Sequence, residues 1–319
     1  MAIEDLPIDL ITSFPMDYMH VVCLGVVKTL MTSWIKKRNT TSSLSRDKIT
    51  ILNNLLLCLK GQLPREFRRS TRDLNEFDRY KATELRTFLL YVGPFILKGI
   101  LDDERYFHFL QLSLAIRILL SPEQCRSKNK CADALLKNFL KYLPKFYDES
   151  ISTYNFHCLT HLASDCLQYG SCETFSAFKF ENKLGMLKRL LKKKNNISAQ
   201  LYNRLVEQSI NISHRDNTQP KICAFFSVVH PNNYYKAQNN LYRVSSISNQ
   251  DSKVIGQKVL NLSSMFHNPL ESSLLDIWQT TKLTVSQESY QHSLKDITKI
   301  CALRNKNDEF GFFPVIHYD

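Results

Sequence analysis

Apolar residues recur at helical spacing through the first two thirds of the chain. The segment 19–35 is apolar on every side of a helix, which predicts a central buried helix. Further helices are predicted over residues 47–61, 104–120 and 131–143, where apolar positions repeat every three or four residues. Another helical pattern is interrupted at Gly93-Pro94, where we expect a break because proline has no amide hydrogen to donate. Together these patterns predict a helical domain over residues 1–212.

Hydrophobic and polar residues alternate instead after a polar linker at 213–220. The alternation is seen in KICAFFSVV, NLYRVSSIS and SKVIGQKVLNL, and it favours β-strands with one buried face. The closing FGFFPVIHYD is predicted to be a last strand, at a sheet edge because of Pro314. Residues 221–319 are therefore predicted to form a small β-rich carboxy-terminal domain, and the predicted fold class is mainly α.

The composition suits a globular protein with a polyanionic partner. Hydrophobic residues make up 44% of the 319 positions, so the chain can bury a sizeable core, and only 8 glycines favour helix over turn-rich β structure. Lysine and arginine exceed aspartate and glutamate by 42 to 30, a formal charge of +12. This excess indicates DNA as a partner. A basic protein without such a partner is the alternative.

Nine cysteines are scattered along the chain without C-x-x-C spacing. Their odd number, and the absence of any apolar run of about 18 residues, predict reduced thiols in a nuclear or cytosolic protein with no membrane contact. Cys158 adjoins His157, but neighbours on a helix point in different directions. A cysteine–histidine hydrolase is therefore disfavoured.

Two pairs of polar side chains have the spacing of metal ligands. Asp17 and His20 form a D-x-x-H turn before the apolar helix, and His157 and His161 stand four apart, which places both on one face of a helix. Two pairs supply the four ligands of a tetrahedral site, so the sequence predicts a structural zinc. The alternative is that each histidine bonds to a backbone carbonyl inside a packed helical core.

A third group of polar residues combines one acid with a run of cations. Glu181 begins a helix after an aromatic approach, and such a carboxylate could bind Mg²⁺ beside the DNA backbone. The cations that follow it are Lys188, Arg189, Lys192, Lys193 and Lys194. In the alternative interpretation, Glu181 only complements the helix dipole and the lysines form a solvated face.

A second basic cluster lies in PREFRRSTRD, more than a hundred positions earlier in the chain. Its cations are Arg65, Arg68, Arg69 and Arg72. With the lysine run they are the candidate nucleic-acid contacts, because arginine and lysine neutralise phosphates. Ordinary surface charge is the alternative.

Several long motifs resemble one family. LPIDLITSFPMDYMHVVCLGVVKTLMTSW is similar to the FP-x-D-x-MH-x-x-x-LGV-x-K segment of CACTA (En/Spm) DNA transposases and of related animal transposase-domain proteins. The resemblance continues through LNEFDRYKATELRTFLLYVGPFILKGIL and YNFHCLTHLASDCLQYGSCETFSAFKFENKLGMLKR, and it ends on NPLESSLLDIW and FPVIH. It therefore covers nearly the whole chain.

The resemblance implies a role for each candidate residue. In that family an RNase H-like fold holds three acids, which bind two Mg²⁺ ions for DNA strand cleavage and joining. Asp17 and His20 match the D-x-x-H motif that follows the second acid, and Glu181 matches the third acid. His157 and His161 resemble the histidine pair before the last acid, an arrangement similar to the zinc-binding helical insertion of the V(D)J recombinase catalytic subunit.

The family's first two acids lie upstream of the D-x-x-H motif, and sixteen residues precede Asp17 here. Strands need about five or six residues each, so we expect the RNase H-like core strands to be largely missing and the chain to be a helical insertion-type domain. One acid cannot hold two metal ions. The sequence thus predicts a transposase-derived protein that is catalytically inactive as it stands, with Mg²⁺ expected only in an intact family member. An upstream segment carrying the missing acids would restore DNA cleavage.

The alternative is a domesticated module that binds nucleic acid or protein without chemistry. Its partner would be DNA, and a homo-oligomer stays open.

Overall fold

Helices make up the amino-terminal part of the chain in a computed structural model, which describes residues 7–9, 13–37, 40–193, 195–213, 226–248 and 252–317. The buried helix predicted at 19–35 is confirmed: a π-helical segment, Met19–Val27, continues directly into helix α1, Lys28–Ile35. The other helices are α2, Arg46–Cys58; α3, Ala82–Thr87; α4, Gly93–Ile96; α5, Asp103–Leu120; α6, Gln124–Ser127; α7, Asn129–Phe146; α8, Tyr154–Cys158; α9, Leu162–Tyr169; α10, Phe178–Leu190; and α11, Ile197–Ser213. Within the described ranges, no helix has both the length and the apolar character needed to cross a bilayer.

In the part of the chain that the structure describes, eight strands follow, and all of them belong to one antiparallel sheet that curves into a half-barrel. The strands are β1, Tyr234–Ala237; β2, Asn240–Ser248; β3, Lys253–Leu260; β4, Ser263–Ser264; β5, Trp278–Thr280; β6, Thr284–Ser293; β7, Ile297–Arg304; and β8, Phe310–Pro314. Their order across the sheet is β4-β5-β8-β7-β1-β2-β3-β6.

The predicted fold class, a mainly α helical insertion domain with a small β-rich module, is wrong. About 49% of the chain is helical, and the sheet is a major element rather than an appendage. The physical reason is a shared core. One hydrophobic cluster contains residues of α1 to α10 together with Cys301, Leu303 and Phe313 of the sheet. The helices therefore bury part of their apolar surface against strands β7 and β8.

Alternation along strand β7 shows how the sheet serves two cores. Cys301 and Leu303 face the helices, whereas Ile300 and Ala302 face the other side, where they pack with Phe312 in a separate cluster. Successive side chains of a strand point to opposite faces, so both faces of β7 are covered. Strands β2 and β3 confirm the two alternating segments predicted there, and KICAFFSVV lies partly outside the described residues.

Both predictions that depended on proline fail. Residues 82–96 run on through Gly93-Pro94 without a break, because a π-helical turn, Phe88–Val92, precedes the proline and shifts the hydrogen-bond register. Pro314 is not at a sheet edge, because β8 lies between β5 and β7. It occupies the last position of its strand, opposite Ile300.

Candidate nucleic-acid interface

Asp17 caps the central helix and also fastens a distant segment. Its Oδ2 accepts a hydrogen bond from the backbone N–H of His20 (3.0 Å) and contacts the His20 ring. Its Oδ1 accepts from the N–H of Ala177 (2.7 Å), the residue before α10. One carboxylate thus bonds to two elements separated by 160 positions.

A second carboxylate ties the same turn to the histidine segment. The N–H of Met16 donates to Oδ2 of Asp165 (2.9 Å), and Asp165 lies one turn beyond His161 on α9. The early D-x-x-H turn and the later histidine pair therefore lie on one side of the molecule. The hydrogen bond that Asp165 accepts from Met16 joins them.

Within each predicted ligand pair, the two side chains contact each other. His157 and His161 lie on either side of a break between α8 and α9, and their Nε2 atoms are 3.5 Å apart at the surface. His20 is exposed and contacts Asp17. Within the described residues, no three histidine, cysteine, aspartate or glutamate side chains are grouped so that they could hold a metal ion. The structural zinc stays a prediction.

Helix α10 carries the candidate acid and the first cations on an exposed surface. In this helix only Phe178 is buried, while Glu181, Lys188 and Arg189 are all exposed. Glu181 lies in the first turn, where the helix dipole favours a carboxylate. Lys192 and Lys193 follow the helix and are exposed as well, and Lys194 lies outside the described residues.

The PREFRRSTRD loop exposes arginines because two buried residues, Glu66 and Phe67, anchor its backbone. Glu66 is buried, and its carboxylate lies 3.5 Å from the Nζ of Lys299 on β7. Phe67 packs edge-on against the rings of Tyr91 and His317, with centroids 4.9 and 5.0 Å away. With these two side chains turned inward, the adjacent arginines are left on the outside.

Three of the four arginines of this loop are exposed: Arg65, Arg68 and Arg69. Arg72 is engaged inside the protein. Its Nε donates to Oε1 of buried Glu84 (2.6 Å), and its Nη1 lies 3.1 Å from Glu76. The charge of Arg72 is therefore already compensated by these carboxylates, and Arg72 is not part of the exposed cationic surface.

The two basic segments meet at one contact. Nη1 of Arg68 donates to Oδ1 of Asn182 on α10, at 2.8 Å. We call the exposed cations of these two segments the basic surface: Arg65, Arg68, Arg69, Lys188, Arg189, Lys192 and Lys193. Two cationic segments that are distant in the sequence thus belong to one region of the molecule.

Sequence reasoning missed two acids that fasten the candidate segments to the rest of the protein. Asp165 stands in the quoted YNFHCLTHLASD segment and Glu66 inside PREFRRSTRD, but neither has a partner nearby in the sequence. The only available signal for Glu66 was its position, an acid between Arg65 and Arg68. Because an acid amid cations is common on surfaces, that signal did not indicate burial.

Comparison with known proteins gives a family match only for the segment that contains the sheet. Residues 219–315 match a family described as a domain of unknown function (DUF8592), which spans less than a third of the chain and includes all eight strands. No curated protein matches the chain. No solved structure matches it either. None of the candidate site residues falls within the matched segment.

Proposed function

We propose that this chain is a transposase-derived protein that binds DNA through its basic surface and does not cut it. The observation that carries the proposal is the contact between Arg68 and Asn182 (2.8 Å), which brings the arginine loop to the lysine helix. Phosphate contacts supply most of the affinity of a non-specific DNA-binding protein. A continuous cationic surface is the arrangement that provides them.

Anchoring of the loop favours binding over chance surface charge. A long, freely moving side chain loses conformational entropy when it is fixed on a partner. The backbone under Arg65, Arg68 and Arg69 is held by Glu66 and Phe67, which are buried. The loop is therefore already ordered before DNA arrives.

We propose no DNA cleavage because too few acidic residues of this chain match the metal site of the family. The resemblance assigns a single acid of this chain, Glu181, to the metal site, and two Mg²⁺ ions need several converging carboxylates. Glu181 is exposed on α10. We expect the protein to be nuclear. We also expect the purified protein to bind DNA in vitro without nicking it when Mg²⁺ is added.

The experiment measures the DNA affinity of two double charge-reversal variants by fluorescence anisotropy with a labelled duplex. The affinity is measured from about 50 to about 200 mM salt, because affinity that depends on phosphate contacts falls steeply over this range. Arg68→Glu/Arg69→Glu changes the loop, and Lys188→Glu/Arg189→Glu changes the helix. Each should weaken binding and reduce the slope of log affinity against log salt by about 2, because about one counterion is released per phosphate contact.

The matched control is Lys130→Glu/Lys141→Glu on α7, which changes the net charge by the same amount at other exposed lysines. The control should keep the wild-type salt slope. An equal loss of slope in the control and in both test variants would mean that net charge alone attracts DNA, and the proposed surface would be abandoned.

A second candidate function, a protein-interaction module, is favoured by exposed apolar side chains on α10 and α11. Phe180 and Tyr202 are 67% and 70% exposed, and Leu184 and Ile197 are about half exposed. Exposed apolar groups concentrated on two adjacent helices are typical of interaction sites. Light scattering of purified protein tests this: Phe180→Ser/Tyr202→Ser should abolish self-association if these helices join two copies, and a monomeric wild type would exclude a homo-oligomer.

A further inference from the structure

A cleft of about 740 Å³ lies between the helices and the sheet, away from the loop arginines. Its volume is within the range of roughly 300–1,000 Å³ typical of small-molecule sites. Its walls include Leu120, Pro122 and Glu173 from the helical part, and Leu275, Thr298 and Ile316 from the part that contains the sheet. Charged side chains of both signs also line it: Arg117, Lys179 and Lys236, and Glu123, Glu173 and Asp276.

Arg117 of α5 lines this cleft and is only 3% exposed. Its Nη1 and Nη2 donate to the backbone carbonyls of Pro314 (3.0 Å) and Leu90 (2.9 Å), and its Nε has no hydrogen-bond partner. Among the residues that the structure describes, no carboxylate lies within ion-pair distance of this guanidinium. Buried charges are normally paired, because removing an ion from water costs several kcal/mol.

The acids on the cleft wall have partners of their own. Asp276 is paired with Lys236, and Glu173 lies 3.7 Å from Arg86. Burial raises the pKa of Glu173 and lowers that of Arg117, so both groups sense a desolvated environment. Lys179 also lines the cleft, from the first turn of α10; its charge acts on Glu173, but it forms no ion pair within the described ranges.

Glu123, the remaining acid, is exposed and accepts a hydrogen bond from the Ser121 hydroxyl (2.9 Å). Of the cleft charges that form no ion pair within the described residues, Arg117 is the buried one, whereas Lys179 and Glu123 are exposed. Packing of Arg117 over the Tyr91 ring, 5.0 Å from its centroid, compensates part of its burial but supplies no counter-charge.

We propose that this cleft binds a small organic anion, whose carboxylate or phosphate group neutralises Arg117 and Lys179. Its apolar body contacts Leu120, Leu275 and Ile316. This site is separate from DNA binding in the proposed function, because none of the residues of the basic surface lines the cleft.

The test is isothermal titration calorimetry with two pairs of probes. Succinate and 5′-AMP carry the two kinds of anionic group, and succinamide and adenosine are their uncharged counterparts. We expect one anion of a pair to bind about tenfold or more tightly than its uncharged counterpart, since charge-assisted hydrogen bonds are lost in the latter. The pair that discriminates identifies the anionic group. Equal or undetectable binding within both pairs overturns the proposal.

Variants separate the cleft from other surfaces without touching Arg117, whose loss could unfold the protein. Lys179→Gln should weaken the anion about tenfold, and Lys130→Gln on α7 is the matched control. Thr298→Trp is neutral and places a bulky ring on the cleft wall at strand β7, so it should weaken anion binding while DNA affinity stays unchanged. Anion affinity that is unchanged in Thr298→Trp would place the site elsewhere and overturn the assignment, whether or not the chain binds DNA.

Discussion

The buried ion pair between Glu66 and Lys299 allows a sharp test of how the basic loop is held. The carboxylate and the ammonium are 3.5 Å apart, and both side chains are almost fully buried. At this distance the attraction is about 5 kcal/mol with an effective dielectric constant near 20. Burial nevertheless lowers the pKa of Lys299 to about 8, so desolvation outweighs the attraction.

These two facts predict opposite results for single and double substitutions. Lys299→Met leaves Glu66 buried without a counter-ion, and neither oxygen of that carboxylate has a hydrogen-bond partner in the described structure. We expect it to lower the free energy of unfolding by about 3–5 kcal/mol. Glu66→Leu/Lys299→Met removes both charges, and its free energy of unfolding should be within about 1 kcal/mol of wild type or higher.

Urea denaturation, followed by the fluorescence of Trp34 and Trp278, measures both variants. The pH dependence adds an independent check. Because the pKa of Lys299 is about 8 in the folded chain and near 10.4 in the unfolded chain, the unfolded state binds more protons between these values. Wild-type stability should therefore rise relative to Lys299→Met from pH 8 to about 10. A double variant as unstable as the single one would refute the reasoning.

Three further predictions concern His108, Gly256 and Asp165. Burial lowers the pKa of His108 to about 4, so the unfolded chain binds its proton first as pH falls, and about 3 kcal/mol of stability should be lost between pH 6.5 and 4; His108→Gln should lose less in acid denaturation. Gly256→Ala places a Cβ 2.6 Å from the Tyr235 hydroxyl oxygen and should cost about 1–3 kcal/mol in urea denaturation, whereas Gly185→Ala, with nothing within 4 Å, should not destabilise the chain. Asp165→Ala should cost about 1–2 kcal/mol and speed hydrogen exchange of the backbone amide that donates to it, and unchanged exchange would contradict the contact.

The helices could be predicted because their signal is local. The segment 19–35 is apolar on all sides, and α5 and α7 repeat apolar residues at helical spacing, so burial of each follows from its own sequence. The size of the sheet could not be predicted in this way. Strand β6 is mostly exposed and β4 has two residues, so neither shows a clear alternation. Membership in the sheet depends on partners far along the chain.

The candidate site shows the same division. The cations of α10 and of the loop are visible in the sequence, because charge needs no partner to be counted. Their proximity depends on tertiary contacts, namely the Arg68–Asn182 hydrogen bond and the inward turn of Glu66. The zinc prediction depends on the fold in the same way, since ligand-like spacing is visible in the sequence but the meeting of four side chains is not. No group of three ligand-type side chains that could hold a metal ion occurs among the described residues, and the zinc stays a prediction.

The central claim is that the loop and helix α10 form one DNA-binding surface. Hydrogen–deuterium exchange of the full chain, with and without a saturating 20-base-pair duplex at low salt, tests it most directly. We predict that DNA slows exchange in peptides covering residues 65–72 and 178–193 together, and that Arg68→Glu/Arg69→Glu reduces protection of both. Protection of neither segment, or protection of one that is insensitive to changes in the other, would contradict the claim.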